Sequence, residues 1–134
     1  MKRILLACCM LAASCTLTYA QSATPQPPVV TKAQFTSQVT ALNTVLTTNN
    51  TEAANAKWED VHRTMINELT VIKYKMRDAQ EAKNETEMKK YTEVMIKQRN
   101  VYSEVLKLAR DEKGMAPNKT QINEKLKEFG NMIL

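Results

Sequence analysis

Apolar residues recur every three or four positions along most of the chain from Thr31 onward, which is the spacing of one helix face. The first such stretch contains the apolar residues Phe35, Val39, Leu42 and Leu46. Valine and isoleucine do not alternate with polar residues, as they would in half-buried strands. The pattern therefore predicts an all-α domain over residues 31–134.

Capping residues divide this domain into four predicted helices. Each helical stretch follows an N-cap candidate: Thr31, Asn50, Asn84 and Asn118. Gln34 and Gln121 stand three residues after the first and last of these, as in a capping box. Gly114 and Pro117 are typical of the end of a helix, here the third. We therefore expect helices over about residues 31–48, 51–83, 85–112 and 118–132.

The second and third predicted helices are much longer than the first and fourth. At 1.5 Å per residue their lengths are roughly 50 and 40 Å, against about 25 Å for the other two. In an up-down-up-down four-helix bundle, the short helices cover only part of the long ones. The lengths predict a four-helix base and a projecting two-helix hairpin over residues 69–98.

The predicted hairpin carries more apolar side chains than two helices can bury between themselves. We predict that a second copy of the chain or another protein covers them. The residues expected to contact this partner are Ile72, Met76, Met88, Tyr91 and Met95. Eight basic and five acidic residues lie between Lys73 and Arg99. Such a mixture is typical of a solvated helix face, and it could also steer the hairpin toward anionic headgroups or an acidic partner.

The chain begins with the features of an export signal. Lys2 and Arg3 precede about ten apolar residues, as in a secretory signal peptide, and this run is too short to span a bilayer. Cleavage after Ala20 predicts a signal peptide over residues 1–20 and a periplasmic or secreted protein. The alternative is cleavage before Cys15, which would allow lipid attachment and membrane anchoring.

The segment between the leader and the helices is predicted to be a flexible tether. Residues 21–30 hold three of the four prolines and no charged side chain. Cleavage after Ala20 also removes all three cysteines and leaves no thiol chemistry. The basic excess is then too small and too dispersed for a dedicated nucleic-acid binder, so we expect no nucleic-acid partner.

Candidate catalytic and metal-binding patterns are sparse. His62 is the single histidine, and Glu59 completes a Glu-x-x-His spacing that di-iron bundles use twice, together with two further glutamates. No buried glutamate is evident on the facing apolar stripes. The sequence shows neither a Ser/His/Asp arrangement nor a glycine-rich phosphate loop. We therefore expect no catalytic residue and no cofactor; the alternative is a metal-binding bundle protein that uses His62 and Glu59.

A small, exported, basic and all-helical chain with a hairpin resembles the Spy-like periplasmic chaperones in architecture. The signature of that family is Leu-Thr-x-x-Gln. Here the Leu46 and Leu69 segments keep Leu-Thr but have Asn50 and Lys73 in place of the glutamine. The resemblance implies an alternative function, a chaperone or stress adaptor that holds unfolded clients on the hairpin.

Overall fold

The structure is a computed structural model that describes residues 26–134. The predicted signal peptide, the cleavage sites at Ala20 and Cys15, and the first half of the predicted tether lie outside the described residues. Residues 26–31 are not helical. Within them, the backbone oxygen of Pro28 accepts a hydrogen bond of 2.6 Å from Asn67, and Val30 is buried.

Four α-helices account for most of the described chain, and the described residues contain no strand. The helices are α1 (Lys32–Leu46), α2 (Thr51–Glu81), α3 (Glu85–Ala109) and α4 (Lys119–Asn131), with a 3₁₀ turn over Ala116–Asn118 before α4. Each helix packs against two neighbours, α1 on α2 and α4, and α3 on the same two helices. The prediction of an all-α, up-down-up-down four-helix bundle is confirmed.

The hydrophobic core lies at one end of the long helices. It uses α1 and α4 along their lengths, but it uses α2 only as far as Met65 and α3 only from Val101. The Phe35 and Phe129 rings join α1 to α4, with their centroids 5.5 Å apart. Gly130 permits this close approach, because a Cβ atom there would lie 3.1 Å from Cδ1 of Phe35. We call this four-helix part the base.

Beyond the base, α2 and α3 continue together as the predicted projecting hairpin, residues 69–98. The two helices are 31 and 25 residues long, against 15 and 13 for α1 and α4. A tight turn joins them, in which Lys83 adopts a left-handed conformation with φ 54°. The backbone N–H of Asn84 donates to the Ala79 oxygen at 2.9 Å, and that of Lys83 donates to Gln80 at 3.0 Å. This is the Schellman pattern of a helix end.

Three of the four predicted N-caps are confirmed. Thr31 and Gln34 form the reciprocal capping box, while Asn50 and Asn84 accept hydrogen bonds from the third backbone N–H of their helices. The capping box predicted at Asn118 is wrong, because the 3₁₀ turn precedes α4 and takes this residue out of the extended conformation that a cap requires. Its side chain instead donates to the Leu108 oxygen at 3.3 Å.

The third helix also ends earlier than the predicted residue 112. Asp111 follows the last helical turn, and its carboxylate accepts a hydrogen bond of 2.9 Å from the backbone N–H of Lys113. The backbone N–H of Gly114 donates to the Asp111 oxygen at 2.9 Å, and Gly114 has φ 80°. An aspartate that bonds the backbone two residues ahead favours a turn over another helical turn.

Candidate protein-interaction surface

The predicted contact residues occupy different depths in the hairpin. Met76, Tyr91 and Met95 are half-buried, and Met88 is 37% exposed. Ile72 is 0% exposed, so its side chain packs beneath these residues and does not reach solvent. Four of the five predicted contact residues therefore expose part of their side chains to solvent.

Two further apolar residues of α3 extend this exposed set. Val94 is half-buried, and Ile96 is 54% exposed. We define the hairpin surface as Met76, Met88, Tyr91, Val94, Met95 and Ile96. The sequence stripes mark most of these positions, and Ile96 lies off the inward stripe, in agreement with its exposure.

Cations accompany the aromatic rings of the hairpin. The Arg77 guanidinium lies 4.7 Å from the centroid of the Tyr74 ring, and the Lys90 ammonium lies 5.7 Å from that of Tyr91. Arg77 also contacts the carboxylates of Asp78 at 3.3 Å and Glu81 at 3.7 Å. These are exposed contacts of small energy. Together they make a surface of mixed apolar and basic character.

A buried polar layer separates the hairpin from the base. Glu68 of α2 is 2% exposed and Gln98 of α3 is 0% exposed. Nε2 of Gln98 donates to Oε1 of Glu68 at 3.3 Å and to the backbone oxygen of Met132, just after α4, at 3.1 Å. We call Glu68, Gln98 and Met132 the junction layer. The buried glutamate Glu68 lies on α2, the helix that also carries His62, and the spacing of Met65, Glu68 and Ile72 already marks its position.

Burial raises the pKa of Glu68 above its ordinary value. The hydrogen bond from Gln98, the positive charge of Lys75 and the backbone of Leu134 act in the opposite direction and only partly offset burial. Oε1 of Gln98 is buried and has no hydrogen-bond partner. The junction layer is therefore incompletely satisfied when Glu68 is ionised.

The single histidine is engaged in an aromatic cluster of the base. His62 Nε2 and the Tyr102 hydroxyl share a hydrogen bond of 2.9 Å. The Trp58 ring stacks on the His62 ring with centroids 5.5 Å apart. Glu59 is exposed. A metal site at His62 and Glu59 stays a prediction, and it requires Tyr102 to release Nε2 or the metal to bind through Nδ1.

No group of three histidine, cysteine, aspartate or glutamate side chains that could hold a metal ion occurs within residues 26–134. None of the helices in that range is long and apolar enough to cross a membrane. Several clefts lie on the described residues, among them one of about 430 Å³ between α1 and α4 beside Val39 and Leu126. One of about 230 Å³ lies at the far end of the base beside Asn50 and Met115, and another of about 260 Å³ lies at the hairpin tip between Ala79 and Met88.

Comparison with known proteins adds no relative. No protein-family model matches the chain, and neither a curated protein nor a solved structure matches it.

Proposed function

We propose that this chain is an exported, non-catalytic helical protein of the periplasm or cell envelope that acts through the hairpin surface. Its action is protein–protein contact or self-association. The observation that carries the proposal is the exposure of apolar side chains on a segment only two helices thick, above all Ile96 at 54% and Met88 at 37%. Such side chains lose contact with water when a partner binds, which favours association. Export rests on the leader sequence.

The direct test is photo-crosslinking in cells, with probes placed at Met76 and Tyr91. Matched control probes at Ser103 and Gln121, exposed positions on α3 and α4 of the base, measure random collisions. We expect discrete adducts from the hairpin probes and none from the controls. Equal adducts from both sets, or none from either, would contradict the proposal.

A charge substitution sharpens this test without disturbing the fold. Ile96→Lys places an ammonium on the hairpin surface, and exposed substitutions of this kind change the free energy of unfolding by only about 0.5 kcal/mol. We expect it to abolish the Tyr91 adduct. The matched control is Ile66→Lys on α2, which is 45% exposed but outside the hairpin surface; it should leave the adduct intact.

A chaperone or stress adaptor is the second candidate. Three methionines of the hairpin surface, Met76, Met88 and Met95, are partly exposed, and methionine adapts its shape to varied apolar partners. The resemblance in architecture to the Spy-like chaperones supports the same function. A mass independent of concentration by light scattering, together with suppressed aggregation of a model client, would favour the chaperone. A concentration-dependent dimer without such activity would favour self-association.

A further inference from the structure

The junction layer lacks one hydrogen-bond donor. The two amide hydrogens of Gln98 serve two acceptors, Oε1 of Glu68 and the backbone oxygen of Met132. The amide cannot be rotated by 180°, because its oxygen would then face both of these acceptors. Oε1 of Gln98 therefore stays buried without a partner as long as Glu68 is ionised. A buried acceptor without a donor destabilises the folded state.

We propose that the Glu68 carboxyl binds a proton in the folded protein and donates it to Oε1 of Gln98. The proton comes from solvent, and no other bond is made or broken. The carboxylic acid and the amide then form a pair with two hydrogen bonds, N–H to carboxyl oxygen and O–H to amide oxygen. This pair connects α2 to α3 at the point where the hairpin leaves the base, while the second amide hydrogen still binds the end of α4. The junction layer thereby becomes a proton-dependent lock.

The surroundings of Glu68 favour the neutral acid. Among the described residues, Lys75 is the charged side chain that acts on Glu68, and it lies on the same helix. The amide that α3 presents to it, that of Gln98, carries no charge, and the backbone of Leu134 is its other hydrogen-bond partner. Burial raises the pKa of this carboxyl, in agreement with proton uptake.

The direction of the pH effect follows from this shift. A carboxyl with a raised pKa binds its proton more tightly in the folded chain than in the unfolded chain. Its contribution to the free energy of unfolding is therefore largest at low pH, and it declines as the pH rises from the unfolded to the folded pKa of Glu68. The lock is closed in acid and loosened at higher pH. An effect of the lock on partner binding at the hairpin surface rests on the proposed function, whereas the lock itself does not.

The experiment is a pH titration of the full chain. The chemical shift of the Glu68 carboxyl carbon, followed by NMR, should have its titration midpoint at a higher pH in the folded protein than in urea. Hydrogen exchange, corrected for its intrinsic pH dependence, should show slower opening of residues 69–76 at a pH below the unfolded pKa of Glu68 than at a pH above its folded pKa. Titration of Glu68 at or below its value in urea would overturn the proposal.

Two variants separate the lock from a general effect of pH. In Glu68→Gln the introduced amide supplies a permanent donor to Oε1 of Gln98, so opening should be slow at both pH values. Glu59→Gln, an exposed change on the same helix, should behave as the unaltered chain. A pH dependence that persists in Glu68→Gln would refute the lock.

Crosslinking from Tyr91 at both pH values then separates the two proposals. Adducts that form although Glu68 titrates as in urea would sustain the proposed function and overturn the lock. A Glu68 titration midpoint above its value in urea, without any adduct, would sustain the lock and overturn the proposed function.

Discussion

The base and the hairpin are built from the same two long helices and differ in what covers them. In the base, α1 and α4 complete the bundle, and Met65 of α2 is 0% exposed. In the hairpin, no further helix within the described residues covers α2 and α3, and Met88 is 37% exposed. Similar apolar stripes thus give a closed core in one region and an accessible surface in the other. The comparison shows that a second helical layer determines which apolar residues become core.

Charge divides the two regions in the same way. Residues 69–99 hold eight basic and five acidic side chains, whereas the rest of the described chain holds nine of each. The excess positive charge therefore belongs to the hairpin and to Arg99, the residue directly after it. A basic surface with apolar side chains attracts acidic partners most strongly at low ionic strength.

The largest expected difference between the regions is in the cost of truncating an apolar side chain. Phe129→Ala removes a ring that is 0% exposed, and we expect a loss of about 3–5 kcal/mol in the free energy of unfolding. Met88→Ala should cost less than about 1 kcal/mol, because much of the side chain already meets water. Urea unfolding followed by Trp58 fluorescence measures both. Equal losses would refute the distinction between a closed base and an open hairpin.

Ile72 tests how far the hairpin has a core of its own. Its side chain is fully buried although it lies beyond the base, so Ile72→Ala should cost about 2–4 kcal/mol. Ile96→Ala, a change of the same kind at an exposed site, should cost about 0.5 kcal/mol or less. The reference measurement is again urea unfolding, with hydrogen exchange to show whether the loss is confined to the hairpin. A small effect at Ile72 would mean that the hairpin opens readily.

The smallest expected effect is at the hairpin turn. Lys83 has φ 54°, a conformation that glycine adopts without steric cost. We expect Lys83→Gly to stabilise the protein by about 0.5–1 kcal/mol. Lys89→Gly in α3, where the backbone is helical, should instead destabilise it by about 1 kcal/mol. A thermal unfolding series should give opposite signs for these two variants, and a destabilised Lys83→Gly would contradict the geometry.

Much of this architecture follows from local patterns in the sequence. The spacing of Phe35, Val39, Leu42 and Leu46 is sufficient for an amphipathic helix, and the Thr31 and Gln34 pair defines its start. Helix periodicity and caps depend on residues within a few positions of each other, so they are readable without a structure. The unequal helix lengths then require the long helices to project beyond the short ones.

Only the tertiary structure decided the features that depend on distant residues. Asn118 fails as a cap because of the turn before it, and Glu68 is buried because Gln98 and the end of α4 close over it. Ile72 is fully buried while Ile96 is exposed, although both are isoleucines of the same hairpin. Burial and hydrogen-bond satisfaction depend on which helices meet, and this is set by contacts between residues some 30 or more positions apart. The sequence by itself determined the helices and their lengths, and the packing decided the chemistry at the junction.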